Sequence, residues 1–95
     1  MIMKHYIIVK WVNGCNKTEL DKKARELYSS ATSIKGVNQV EINENITAHN
    51  NRYDLMIVLH MENYSLPIWD ESQLHKQWKS EFGAMIDKKC IIDCE

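Results

Sequence analysis

Two stretches of this chain are apolar on both of their alternating faces, and that limits the fold more than any other feature. Residues 2 to 12 are dominated by β-branched and aromatic side chains and read as a strand. Ile7, Val9 and Trp11 fall on one parity, Tyr6, Ile8 and Val12 on the other. Residues 53 to 61 repeat the pattern, with Leu55, Ile57 and Leu59 set against Met56 and Val58. A sheet with helices on one side normally turns polar residues to water on the other. Here both faces ask to be covered.

The remaining pattern supplies the helices. Thr18 reads as an N-cap with Glu19 and Asp21 in the first turn, and Leu20, Ala24, Leu27, Tyr28, Ala31 and Ile34 keep helical spacing. This predicts a helix over about 18–33, stopped at Lys35-Gly36. A second strand over 37–46 alternates in part. Ser65 and Pro67 open a short helical turn through Trp69. Asp70 to Gln73 has the form of a capping box, and Leu74, Trp78, Phe82, Met85 and Ile86 carry a helix to about 86. A short last strand is expected over 90–94. The order β-α-β-β-α-β is ferredoxin-like: an antiparallel α+β sheet with both helices on one face. With 95 residues, the expectation is a single domain over 1–95. Its uncovered sheet face is expected to pack on a second copy, giving a homodimer.

Charge and cysteine usage narrow the function. Twelve basic residues face thirteen acidic ones, interspersed, for a net charge of −1. That leaves no basic excess for phosphate-led nucleic-acid binding, nor an electrostatic grip on an anionic membrane. The longest aliphatic run, Leu55 to Leu59, is far short of a membrane span. Lys10 interrupts the N-terminal apolar run, so no signal peptide is expected. Cys15, Cys90 and Cys94 are an odd set without a CxxC motif, which fits a reduced, cytoplasmic chain. No two histidines sit at i, i+4 and no cysteine pair has zinc spacing, so no metal site is expected. No glycine-rich phosphate loop points to a nucleotide cofactor, and none is expected.

Of the four histidines, His75 is the strongest candidate for chemistry. It lies three residues before Trp78 and seven before Phe82, at the edge of the apolar helix face. A neutral imidazole in an apolar cleft can act as a general base. His5 shares the parity of Ile7 and Val9, so if that parity faces the helices, His5 and His75 line one cleft. Its walls would be Ile7, Val9, Ala24, Leu27, Ile57, Trp69, Trp78 and Ile91. Small-ligand sites are mostly apolar with few polar groups, as here. The plainer alternative is that these residues are simply core. Lys10 falls on the other face, with Asp54 as a possible ion-pair partner.

Four segments carry a family resemblance. Met3-Lys4-His5-Tyr6-Ile7-Ile8-Val9-Lys10-Trp11 resembles the opening strand of the stress-responsive A/B barrel, or Dabb, domains. Ile34-Lys35-Gly36-Val37 is similar to their Pro-Gly-Val step, and Arg52-Tyr53-Asp54-Leu55 to their Gly-Tyr-Asp opening of strand 3. Leu74-His75-Lys76-Gln77-Trp78 resembles their helix-2 segment His-Pro-x-His-x-x-Phe, with Ser72 at the first His, Gln73 at the Pro and His75 at the second His. The resemblance implies a dimeric α+β barrel. It also implies, by analogy with a plant polyketide cyclase of the family, that His75 is a base. Trp69 stands where that cyclase has a partner Tyr, and indole has no acidic hydroxyl. The expected function is therefore binding of a small hydrophobic or aromatic molecule between helices and sheet. Two alternatives stay open: a cyclase or isomerase with His75 as base and His5 orienting the substrate, or a purely structural dimer.

Overall fold

A computed structural model describes residues 2–95. The chain runs β1 (Ile2–Trp11), α1 (Lys17–Tyr28), β2 (Val37–Glu44), β3 (Leu55–Glu62), α2 (Leu66–Asp70), α3 (Gln73–Phe82) and β4 (Ile86–Cys94), with single 3-10 turns after α1, β3 and α3. The four strands form one antiparallel sheet in the order β2-β3-β1-β4. This is the ferredoxin-like α+β arrangement that the element order predicts.

The boundaries differ where local chemistry overrides periodicity. Asn16, not Thr18, caps α1, its side chain accepting from the Glu19 amide at 3.1 Å. The short Asn side chain reaches the third helical amide and starts the helix two residues early. The helix ends at Tyr28 and closes in a 3-10 turn, Ala31–Ser33. The capping box at Asp70 does not form; Ser72 caps α3 instead, accepting from the His75 amide at 3.1 Å. β4 begins at Ile86, four residues earlier than expected.

Register settles which parity faces the helices. Ile7 is opposite Ile57 on one side and Ile91 on the other. His5, Ile7, Val9 and Trp11 are buried beneath the helices, with Leu55, Ile57, Leu59 and Met61 of β3 beside them. Aromatic rings from the helices close over them. Trp78 meets Trp11 edge-on at 6.2 Å and Phe82 in a stack at 4.8 Å, while Tyr28 meets Trp78 edge-on at 5.3 Å. Such pairs add about 0.5–1.5 kcal/mol each beyond the area they bury.

The opposite face has no helix. Tyr6, Ile8, Met56, Val58, Cys90 and Ile92 form its centre by register, and Ile92 is 49% exposed. His60 bonds Glu41 on its β2 side. Lys10 is not paired with Asp54. Its ammonium is held by the carbonyls of Asn50 at 2.5 Å and Arg52 at 3.1 Å, and Lys17 takes Asp54 instead, at 3.2 Å. Among the described residues no helix is long and apolar enough to cross a membrane.

Candidate functional site

The expected cleft residues divide into three groups. Ile7, Val9, Ala24, Ile57 and Trp78 are packed core, at most 3% exposed, and Trp69 is fully buried beside them. Leu27 is half-buried against that core. Ile91 is 43% exposed, because β4 is an edge strand that the helices do not cover.

His75 lies on the first turn of α3, half-buried, with its ring 5.1 Å from that of Trp69. Its Nδ1 is 2.9 Å from the Asp70 carbonyl oxygen. A carbonyl can only accept, so Nδ1 donates, and in the neutral imidazole Nε2 is the atom with the lone pair. His5 is 6% exposed and its Nδ1 bonds an Asp93 carboxylate oxygen at 2.5 Å. Asp93 likewise accepts from Nδ1 of His5 and orients the ring, so Nε2 holds the lone pair when that imidazole is neutral. Each imidazole is thus held through Nδ1, and in its neutral form has Nε2 available as a general base requires. No hydrogen bond or ring contact joins the two histidines among the described residues.

Two polar atoms in the same region have no partner among the described residues. Tyr28 and Trp69 are both fully buried, their rings 5.7 Å apart, and neither the Tyr28 hydroxyl nor the Trp69 Nε1–H makes a hydrogen bond. Such a group costs about 1–3 kcal/mol when left unsatisfied. Burial also pushes the Tyr28 phenol well above its usual value of 10, so it stays a donor. Trp11 shows the ordinary solution: fully buried too, it donates its indole N–H to Asp21 at 2.9 Å and its amide to Asp54 at 2.8 Å. The chain satisfies one buried tryptophan completely and leaves another open next to His75.

Tyr28 and Asp93 were not legible as site residues. Tyr28 has helical spacing and reads as core, and Asp93 lies 88 positions from His5. Only the β1–β4 register, which pairs His5 with Asp93, brings them together.

No protein-family profile matches the chain, and no curated protein matches its sequence. Solved structures do. A dimeric protein of unknown function and ferredoxin-like fold from Bacteroides fragilis aligns with TM-score 0.85 at 12% identity, over 99% of this chain and 95% of its own. A Dabb family protein from Mesorhizobium loti aligns with TM-score 0.73 at 11% identity, over 99% and 95%. A hydroxynitrile lyase from Passiflora edulis aligns with TM-score 0.76 at 9% identity, over 97% and 90%. The fold is therefore the one these proteins share, a Dabb family protein among them.

Proposed function

We propose that this protein is a homodimeric binding protein for a small aromatic or hydrophobic compound carrying a carbonyl group. The single observation behind this reading is the unpaired Tyr28 hydroxyl and Trp69 N–H. An indole N–H can only donate, and a protonated phenol readily does. Two buried donors without an acceptor match a ligand oxygen that accepts and does not donate. The aromatic rings of Tyr28, Trp69 and Trp78 provide stacking surface around it. The rings fill the region, so a ligand enters by moving the five-residue helix α2 outward with Trp69.

The dimer part of the proposal is supported by the uncovered apolar sheet face and by the relatives described as dimeric. Two sheets packed face to face stand about 10 Å apart, close enough for Tyr6, Ile8 and Ile92 to interdigitate with a second copy. Sedimentation velocity tests it. A dimer that falls apart in Ile8→Glu/Ile92→Glu supports the face; a monomeric wild type overturns it.

A second reading has its own observation. The free Nε2 atoms of His75 and His5 are those a proton-transfer enzyme needs, and a hydroxynitrile lyase shares the fold. In that reading His75 removes a proton next to the ligand carbonyl, and the Tyr28 and Trp69 donors stabilise the developing oxyanion. Native mass spectrometry of freshly purified protein distinguishes the readings. A co-purified carbonyl compound, lost in Tyr28→Phe and unchanged chemically, supports binding. Conversion of that compound, abolished by His75→Ala, supports catalysis. A ligand-free dimer that ignores aromatic carbonyl compounds overturns both.

A further inference from the structure

The loop between β2 and β3 forms a concavity at the C-terminal end of β1. It has a volume of about 470 Å³, and Lys10, Asn13, Lys17, His49, Arg52 and Asp54 line it among others. Volumes of this order suit small ligands. Lys10 lies on the opposite parity of β1 from the buried Val9 and Trp11, and neither Tyr28, Trp69, His75 nor Trp78 lines the cup, so this is not the aromatic region.

Its charge runs against that of the chain. Three cations and one carboxylate line the cup, although the whole protein carries a net charge of −1. The carboxylate is already committed: Asp54 accepts from the Trp11 amide at 2.8 Å with one oxygen and from Lys17 at 3.2 Å with the other. Lys10 is held by two main-chain carbonyls, which fix its ammonium without neutralising it. Arg52 meets the neutral side-chain amide of Asn51 at 2.6 Å. Two positive charges are therefore left uncompensated around one concavity.

The loop is also braced in advance. Asn45 and Thr47 exchange two hydrogen bonds at 2.8 and 3.0 Å. The Asn45 amide donates to the Asp54 carbonyl at 2.9 Å, and the Arg52 amide to the His49 carbonyl at 3.2 Å. With Lys10 tying its far side to β1, the loop presents its cations in a preset arrangement, which lowers the ordering cost of binding.

We infer that this cup binds a small multivalent oxyanion, a free compound bearing phosphate or carboxylate groups. Arg52 supplies a planar fork for two oxygens, and the ammoniums of Lys10 and Lys17 act as point charges beside it.

The test is a titration of full-length ¹⁵N-labelled protein with inorganic phosphate and with citrate, at ionic strength held constant with sodium chloride. The expected result is saturable shifts confined to the amides of residues 45–54 and their neighbours in β1 and α1. Arg52→Gln should weaken binding by tenfold or more while keeping the urea midpoint close to wild type, and Lys17→Gln/Arg52→Gln should weaken it further. Lys10 is left in place because it also braces the loop. Shifts that fail to saturate, or that survive in both variants, overturn the inference. So does a protein that ignores both small anions yet sediments with phosphatidylserine vesicles, since the anion would then be a lipid headgroup.

Discussion

Replacing Tyr28 by Phe tests the site without a ligand in hand. A buried tyrosine whose hydroxyl is bonded loses stability when that hydroxyl is removed. Tyr28 should do the opposite. Its hydroxyl is buried without a partner, so the folded state carries the desolvation cost and gets nothing back. That cost is about 1–3 kcal/mol. Phe keeps the ring and its contacts with Trp69 and Trp78, and leaves only a hydroxyl-sized gap, so a net gain of about 1–2 kcal/mol is expected. For a chain of this length each kcal/mol moves the melting temperature by roughly 4–8 °C. Urea unfolding followed by tryptophan fluorescence reads the difference directly. It must be run at one fixed protein concentration, because association adds its own stability. In the presence of the proposed carbonyl ligand the order should reverse, with wild type now the more stable. A loss of 1 kcal/mol or more in ligand-free Tyr28→Phe would refute the reasoning, because it would mean that the hydroxyl is bonded after all.

Other expectations follow from the same chemistry. The unfolded Tyr28 phenol ionises near pH 10 and the folded one well above it, so above pH 10 the unfolded state binds fewer protons and stability falls; Tyr28→Phe should flatten that alkaline decline in a pH series of urea midpoints. Burial, joined by repulsion from Glu44 and Asp54 and opposed by the Trp11 N–H, raises the Asp21 carboxyl above its usual 3.8. Its stabilising contribution is therefore present at acid pH and lost as pH rises, so Asp21→Asn should raise the midpoint at pH 7 and lose that advantage below about pH 4. Gly14 and Gly36 both have φ near +85°, but a Cβ at Gly36 would meet the Ser65 Cβ at 2.8 Å, whereas Gly14 faces open space. Gly14→Ala should cost about 1 kcal/mol and Gly36→Ala more than about 2 kcal/mol by thermal melts, the excess being the displaced Ser65.

The sequence made the architecture legible because the strongest signals were long-range in kind. A strand that is apolar on both parities, such as Tyr6 to Trp11, fits only the middle of a sheet with something on each side, and β1 is central. What it hid were the features without period. Asp87, Lys88 and Lys89 are exposed on both faces of an edge strand, so nothing in their hydropathy marks β4 as starting at Ile86. The cap at Ser72 won over the one at Asp70 because two serine and aspartate candidates compete within three residues, and only the geometry of the α2–α3 corner chooses. At the site, His75 was visible at the edge of an apolar helix face and Trp69 at the end of the short helical turn before it. The donors that lack partners were not, because whether a buried N–H is satisfied depends on atoms contributed by the rest of the fold.

The position of β1 at the centre of the sheet has a consequence for synthesis. β1 precedes both of its partners in the chain: it needs β3 on one side and β4 on the other. His5 and Asp93 stand 88 positions apart yet share a hydrogen bond. Closing so long a loop is entropically costly, and folds dominated by such pairings form slowly. A ribosome-bound chain lacking residues 86–94 would expose one edge of its central strand and the two-sided row from Tyr6 to Trp11 that should be covered. Until residues 86–94 emerge, that unpaired edge is of the kind that templates edge-to-edge aggregation.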